Sequence, residues 1–141
     1  MVRDEALALL ERRSAAWAAR DAAALAATHA ERAVVISPAG GVLEGRAEIE
    51  RVYRLWMTAF PDLTFASEAV LIDGDRIVQI ARLSGTHSAD FFGLAATGRH
   101  VHVEVALLLS VVDGLIAEER RIYDFTGLLV QVGVLKAKPA G

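Results

Sequence analysis

The hydrophobic periodicity of the chain changes at Pro61, and this change limits the folds that the sequence can adopt. Before Pro61, most apolar residues recur at helical spacing. After residue 63, segments rich in Val, Ile and Leu are separated by Asp-Gly pairs at residues 73–74 and 113–114, which are typical of β-hairpin turns. The pattern predicts an α+β fold with helices first and a curved antiparallel or mixed sheet folded over them.

Three helices and one strand are predicted in the first part of the chain. Residues 3–19 have apolar side chains at helical spacing, and Asp21 is placed to cap a short second helix that runs to Thr28. A strand is expected at residues 33–37, before a Pro-Gly turn. The third helix has a continuous apolar stripe that ends before Pro61 and consists of Ile49, Val52, Tyr53, Trp56, Met57 and Phe60.

The length and composition of the chain exclude several classes of protein. At 141 residues we expect one domain, residues 1–135, followed by a tail without fixed structure at residues 136–141. The amino terminus lacks a secretory signal, and no apolar run is long enough to span a membrane, so we expect a soluble, cytoplasmic protein. The net charge of −3 and the scattered arginines give no nucleic-acid surface. The absence of cysteine excludes thiolate zinc sites and a Cys nucleophile.

Short motifs follow one another in the second half of the chain. They are Gly85-Thr86-His87, Phe92-Gly93, Thr97-Gly98-Arg99, Asp113-Gly114, and Tyr123-Asp124 before the Leu-rich segment 128–133. This order resembles the SnoaL-like polyketide cyclases over most of the chain, most strongly at residues 85–133. The resemblance implies the cone-shaped α+β fold of ketosteroid isomerase and nuclear transport factor 2, in which the sheet wraps a pocket lined by helices.

Asp124 is the candidate catalytic residue. From the residues alone, a carboxylate at the end of a strand, close to Thr126 and Gly127, is typical of a helix cap. The resemblance instead implies that Asp124 is the general acid/base of an aldol cyclisation or isomerisation. The substrate implied is a bulky apolar ketone, polyketide-like or steroid-like, and neither a metal nor an organic cofactor is needed.

The register of the last hairpin decides which polar residues accompany Asp124. A three-residue turn at residues 113–114 makes the paired residue numbers sum to 226 and places Asp124 opposite His102 and Ile122 opposite Glu104. With a two-residue turn the sum is 227, and the polar residues divide between the two faces. We favour the first register, in which His102, Glu104, Arg120 and Asp124 share one face of the sheet. The opposite face, formed by Val101, Val103, Val105, Leu107 and Leu109, is then available for a dimer interface.

Other residues are candidates for the pocket wall, although core packing explains several of them equally well. His102 is proposed to hydrogen-bond Asp124 or a substrate carbonyl. The remaining substrate-binding candidates are His87, Tyr53, Trp56, Met57, Phe92, Glu104 and Arg120. A second interpretation takes His100, His102 and Glu104 as a two-His, one-carboxylate metal set, but strand alternation often produces such sets by chance. His29 is expected to contact the last carbonyls of the second helix.

Three functional classes remain open from the sequence. The first is a cyclase or isomerase that uses Asp124. The second is a hydrolase or dehydratase in which Asp124 acts with an arginine such as Arg82 or Arg120. The third is a non-catalytic protein that binds a small apolar ligand. In each case we expect a homodimer, because three or four helices do not cover both faces of a bent sheet.

Overall fold

The computed structural model describes residues 2–136, which form four helices and one six-stranded sheet. Most of the predicted tail therefore lies outside the described residues. In chain order the elements are α1 Arg3–Ala18, α2 Ala22–Ala26, β1 His29–Ser37, β2 Gly41–Glu44, α3 Arg46–Ala59, β3 Thr64–Asp73, β4 Arg76–Thr86, β5 His100–Val112, β6 Leu115–Tyr123 and α4 Phe125–Gln131.

The sheet has the strand order β2-β1-β6-β5-β4-β3. Strands β1 and β6 are parallel, whereas the other neighbouring strands are antiparallel. The parallel pair joins the amino-terminal strands to the two carboxy-terminal hairpins in one mixed sheet. The predicted α+β class is confirmed, and the strand predicted at residues 33–37 begins four residues earlier, at His29.

Helix α3 follows the predicted apolar stripe closely. Ile49, Val52 and Tyr53 are almost fully buried, and Phe60 directly after the helix is also buried. Met57 is only half-buried and lies at one margin of the stripe. The helix ends at Ala59, two residues before Pro61, because proline disfavours helical backbone in the residue that precedes it.

The first two helices form as predicted, although α2 ends at Ala26 rather than at Thr28. The carboxylate of Asp21 accepts a hydrogen bond from the Ala24 backbone N–H at 2.9 Å, which is the predicted cap of α2. Helix α1 buries Leu9, Leu10 and also Arg13, whereas Leu7 is exposed. A charged residue therefore lies on the buried face of α1, a feature that its apolar spacing did not predict.

The predicted register of the β5–β6 hairpin is wrong. Both Asp113 and Gly114 have positive φ angles and form a two-residue turn, so Val112 pairs with Leu115. An irregularity between Ser110 and Val111 then shifts the ladder by one residue, and the pairs up to Val105–Tyr123 sum to 228 rather than 226. Ile122 consequently lies opposite Ala106, and the strand ends before Asp124.

Sums of 226 and 228 both place even-numbered residues opposite even-numbered ones, so the predicted sharing of one face is partly correct. His102, Glu104 and Arg120 do share a face, but this face is exposed and lies on the outside of the sheet. The opposite face of β5, expected at a dimer interface, is instead buried in the core of the molecule. Its residues are Val101, Val103, Val105, Leu107, Leu109 and Val111.

Candidate functional site

An internal cavity lies between the helices and the inner face of the sheet. The centre of a water molecule can occupy about 30 Å³ of it, and the space between atoms, including the open mouth, is about 430 Å³. Its apolar wall consists of Trp17, Trp56, Phe65, Leu83, Val105 and Leu107. The cavity is therefore narrow, with room for about two ordered water molecules at roughly 10–15 Å³ each.

Aromatic contacts hold the wall of the cavity in place. The Trp17 ring stacks on Phe65 with 4.9 Å between ring centroids and meets Tyr53 edge-on at 5.6 Å. Trp56 meets Tyr123 edge-on at 6.0 Å. Each of these rings is fixed by a neighbour in a favourable geometry, so the wall is a largely preformed apolar surface.

The polar groups of the cavity centre on Glu119, which is fully buried on β6. Its Oε1 accepts a hydrogen bond from His29 Nε2 at 2.9 Å and lies 3.6 Å from Arg13 Nη2. Its Oε2 accepts from Arg121 Nε. Burial acts to raise the pKa of Glu119, but Arg121, His29 and Arg13 together hold it well below its usual range. Glu119 is therefore ionised at neutral pH and is a poor proton acceptor.

Two arginines face this single carboxylate. Arg13 donates from Nη1 to the Thr28 hydroxyl at 2.9 Å and from Nη2 to the Tyr53 hydroxyl at 3.2 Å. The guanidinium carbon of Arg121 lies 4.8 Å from the centre of the Tyr53 ring. Burial alone would lower the pKa of Arg121. The neighbouring Glu119 carboxylate outweighs burial and raises this pKa above its ordinary value, so the guanidinium stays charged.

Tyr123 completes the polar end of the cavity. Its hydroxyl lies 3.4 Å from the Ser37 hydroxyl, close to the limit for a hydrogen bond. Burial raises the pKa of Tyr123, so its hydroxyl keeps its proton at neutral pH. Tyr123 therefore presents an O–H donor rather than a phenolate.

The Asp124 side chain does not lie at the cavity. It follows the cavity-lining Tyr123 directly, but it is exposed, it is not among the residues that line the cavity, and its Oδ1 accepts from the Gly127 backbone N–H at 2.8 Å. Asp124 is the N-cap of α4, as its residue type and surroundings alone indicated. Its catalytic role stays a prediction.

Three other candidates lie on the outer face of the sheet. His102 is opposite Ser84, and Glu104 is opposite Arg82. Arg120 is opposite Leu108 on the same exposed face. The predicted contact between His102 and Asp124 is wrong, because the register places no β6 residue opposite His102. The backbone N–H and C=O of His102 are instead bonded by the side chain of Gln131, at 2.8 and 2.9 Å.

The candidates from α3 and from the loop after β4 are divided. Tyr53 and Trp56 line the cavity. Met57 lines a separate surface groove beside Arg20 and Arg54. His87 is fully buried and its Nδ1 lies 3.0 Å from the Thr97 hydroxyl, outside the cavity wall. Phe92 packs edge-on against Phe91 at 4.8 Å, which favours a role in anchoring the loop.

The alternative interpretation of three residues as a metal set gains no support. His100, His102 and Glu104 alternate on the outer face, and within residues 2–136 no three His, Asp or Glu side chains are placed to hold a metal ion. The predicted contact of His29 is confirmed, since its Nδ1 lies 3.2 Å from the Leu25 carbonyl near the end of α2. Its other ring nitrogen faces Glu119, a contact that the sequence did not indicate.

Sequence reasoning missed Arg13, Glu119 and Arg121. The available signal for Arg13 was its position within the buried stripe of α1, four residues after Leu9 and three before Ala16. Glu119 and Arg121 alternate with exposed neighbours in the run Glu118-Glu119-Arg120-Arg121, and only the register shows which of the four point inwards. That register depends on a one-residue irregularity that has no clear sequence signature.

Both the sequence and the fold resemble those of known proteins. The model of the SnoaL-like polyketide cyclase family matches residues 8–132. The chain belongs to this family. No curated protein matches the sequence. No helix within residues 2–136 has both the length and the apolar character needed to cross a membrane.

Solved structures share the fold of this SnoaL-like chain. TsrD from Streptomyces laurentii is 25% identical, with a TM-score of 0.84 over 96% of this chain and 99% of its own. AclR from Streptomyces galilaeus is 26% identical, with a TM-score of 0.83 over 98% of this chain and 87% of its own. A protein with a ketosteroid isomerase-like fold from Catenulispora acidiphila is 19% identical, with a TM-score of 0.77 over 93% and 98%. The expected α+β cone is therefore confirmed.

Proposed function

We propose that this SnoaL-like protein binds an apolar ketone in the internal cavity and catalyses its cofactor-free aldol cyclisation or isomerisation through an enolate. The observation that carries the proposal is the combination of an aromatic cavity with charged and hydroxyl donors at one end. An apolar cleft with a few converging polar groups is the usual form of a small-ligand site. Removing a proton next to a carbonyl places negative charge on the oxygen, which such donors stabilise.

The donors suit this chemistry because they are buried. Tyr53 and Tyr123 present hydroxyl groups at the cavity, and Arg121 adds a fixed positive charge. In a site that excludes water, these groups interact with a developing oxyanion more strongly than solvent does. Removal of one such donor costs about 10²–10³ in rate in well-studied enzymes.

For the proton transfer we propose Asp124. The carboxylate of Glu119 is held in its ionised form by two arginines and His29, which makes it an anchor for those side chains rather than a base. Asp124 follows Tyr123 at the start of α4, and its carboxylate is exposed. For Asp124 to reach a ketone in the cavity, the first turn of α4 has to move, because the carboxylate now folds back onto Gly127.

The size of the cavity bears on the substrate. A polycyclic ketone exceeds the space now open, so its binding requires Trp17 or Trp56 to change rotamer. A planar, monocyclic or bicyclic ketone needs less rearrangement. We therefore infer that small planar ketones are the best first probes.

Deuterium exchange tests the proposal without knowledge of the true substrate. In D₂O, the protein is expected to accelerate the exchange of hydrogens next to the carbonyl in a panel of enolisable ketones, followed by NMR. Leu107→Phe should fill the cavity and slow this exchange, whereas Leu108→Phe, one residue away on the outer face, should leave it unchanged. Melting temperatures of both variants separate a blocked cavity from an overpacked core. Exchange that ignores Leu107→Phe would contradict a reaction in the cavity.

A non-catalytic ligand-binding protein is the second candidate. The specific observation in its favour is that Glu119, whose pKa is strongly lowered, is the one carboxylate among the described residues that line the cavity. Saturable binding of a ketone that Leu107→Phe abolishes, without exchange for any member of the panel, would support this second function over the first.

A further inference from the structure

We propose that Trp56 sets the length of the ligand, because it closes the internal cavity towards a second, apolar cavity beside helix α4. The inference rests on the proposed use of the internal cavity as a ligand site. It goes further, since it assigns a specificity-determining residue and a substrate class, namely compact ketones without an extended alkyl tail. The position, polarity and boundary of the second cavity support it.

The second cavity lies next to α4, on the same side of the sheet as the internal cavity. The space between its atoms is about 200 Å³, of which the centre of a water molecule can occupy about 10 Å³. Apart from Ser84, the described residues that line it are apolar and include Phe60, Leu63, Val101 and Leu128. A space this small and apolar offers a water molecule too few polar partners. It is suited to a hydrocarbon group.

The two cavities follow each other along the inner face of β5. Val101 and Val103 line the second cavity, and the next two inward-facing residues, Val105 and Leu107, line the internal one. Successive residues on one face of a strand are about 6.6 Å apart. The cavities are therefore neighbours, and a ligand that extends along β5 from one of them reaches the other.

Two side chains separate the cavities, because among the described residues only these two line both. They are Trp56 from α3 and Leu83 from β4. Leu83 is paired with Val103, at the end of the second cavity nearer to the internal one. The Trp56 ring lies edge-on to Phe91 at 4.7 Å and edge-on to Tyr123 at 6.0 Å between ring centroids. These contacts fix the Trp56 ring as a partition between the two spaces.

The partition favours a compact ligand. A ring in the internal cavity can carry a short substituent towards α4, but a longer unbranched tail meets the Trp56 ring. Such a tail has to stay in solvent or displace the ring from its aromatic neighbours, so additional methylene groups gain little affinity. If the partition is shortened, the same methylene groups become buried, and each is expected to increase affinity about 3- to 4-fold.

The experiment compares acetophenone with hexanophenone, which is the same aryl ketone with a longer unbranched tail. Dissociation constants are measured by ligand-detected NMR titration. In the unaltered protein, the two ketones are expected to bind within about 3-fold of each other. In Trp56→Leu, hexanophenone should bind at least about 10-fold more tightly than acetophenone. Leu83→Ala shortens the partition from the other side and should act in the same direction.

A blocking substitution locates the tail. Val101 lines the second cavity but not the internal one, so Val101→Phe should remove the gain when it is combined with Trp56→Leu. Trp17→Leu is the matched control, because it removes the same side-chain volume from a residue that lines the internal cavity but not the second one. Any gain for hexanophenone in Trp17→Leu should therefore be insensitive to Val101→Phe. Melting temperatures show which variants are folded.

The outcomes separate this inference from the proposed function. A preference of about 10-fold for hexanophenone in the unaltered protein overturns it, and so does a gain in Trp56→Leu that survives Val101→Phe. If Trp56→Leu fails to fold, Leu83→Ala with and without Val101→Phe decides. Length selectivity that follows Trp56, with no deuterium exchange on any ketone, refutes the enzyme but leaves this inference standing. Deuterium exchange without length selectivity does the reverse.

Discussion

At the residue scale, Asp124 and Gly127 are in contact at the start of helix α4. The Asp124 carboxylate lies over Gly127, and a Cβ atom added at residue 127 would be 2.3 Å from Asp124 Oδ2. A side chain at residue 127 would therefore push the Asp124 carboxylate out of this position. The spacing of the two residues therefore follows from capping geometry, whether or not Asp124 also transfers a proton.

Two substitutions of Asp124 distinguish the cap from the base. Asp124→Asn preserves capping, so stability should change little, whereas turnover of a true substrate should fall about 10²–10⁴-fold if Asp124 is the general acid/base. Asp124→Ala should lower the free energy of unfolding by about 0.5–2 kcal/mol in either case. Turnover and melting temperature are measured on both variants. Full activity in the Asn form would limit Asp124 to its structural role.

Glu119 gives a prediction about acid stability. A carboxyl group whose folded-state pKa is lowered stabilises the fold above its unfolded pKa, and this stability is lost as the pH falls through the folded value. For Glu119 the loss begins as the pH drops below about 4.3, the usual pKa of a glutamate side chain. Glu119→Gln leaves two buried arginines without their anion and should cost about 3–5 kcal/mol at neutral pH.

The measurement is urea unfolding at neutral pH and near pH 4. The gap in unfolding free energy between the unaltered protein and Glu119→Gln should begin to narrow near pH 4, because the unfolded glutamate takes up a proton there while the folded one stays ionised. The control is Glu118→Gln at the exposed neighbouring position, which should stay within about 0.5 kcal/mol. A gap that is constant with pH would contradict the lowered pKa of Glu119.

At the element scale, helix α4 takes the place of a strand. Strand β6 ends opposite Val105, so the backbone of His102 has no strand partner on that side. The amide of Gln131 accepts from the His102 N–H and donates to its C=O, as a neighbouring backbone would. This contact attaches α4 to β5, where Leu128 is buried in the core.

Gln131→Met tests this attachment. The substitution keeps the length of the side chain but removes both hydrogen bonds, and we expect a loss of about 1–2 kcal/mol together with faster hydrogen exchange at the His102 amide. Exchange measured by NMR at Val105, which is paired with Tyr123, serves as the internal reference. Unchanged protection of His102 would show that α4 is held mainly by Leu128.

The helices and strands show why the fold could be predicted from the sequence and the candidate site could not. The apolar spacing of α3 and the positions of the two Asp-Gly turns depend on local physical chemistry, and both were predicted correctly. The turn at residues 113–114 nevertheless has two residues, not the three that we favoured. Alternation in β5 showed which residues share a face but not on which side the helices lie. The polar side chains around Glu119 come from α1, β1, α3 and β6, and no local pattern reports a contact between Arg13 and Glu119. The position of the site therefore depends on strand register and on contacts between distant parts of the chain.

At the scale of the whole molecule, the outer face of the sheet carries exposed apolar residues. Cross-strand pairing aligns Leu71, Val78 and Leu108 in one row, and Ala69, Ile80, Ala106 and Ile122 in the next. Leu71 is 69% exposed and Ile122 is 51% exposed. Contiguous apolar residues on an exposed sheet commonly mark an interface. We place the predicted homodimer here rather than on the buried face of β5.

Light scattering and sedimentation equilibrium test the homodimer. At micromolar concentration, we expect twice the 15.1 kDa mass of the chain. Ile122→Glu puts a charge in the centre of the outer face and should shift the protein to the monomer. Leu7→Glu is the control, because Leu7 is 43% exposed on helix α1 and lies outside the sheet. A mass of 15.1 kDa for the unaltered protein would contradict the dimer.

The polar cluster around Glu119 also has a consequence for the order in which the chain folds. Arg13 and His29 lie in α1 and β1, whereas Glu119 and Arg121 lie in β6, later in the chain. Until β6 is made, α1 and β1 lack the anion that pairs with the buried Arg13, so we expect the native core to close only after β6 has joined the sheet. Stopped-flow kinetics of Glu119→Gln should then show faster unfolding and an almost unchanged folding rate, as is usual for contacts made after the transition state.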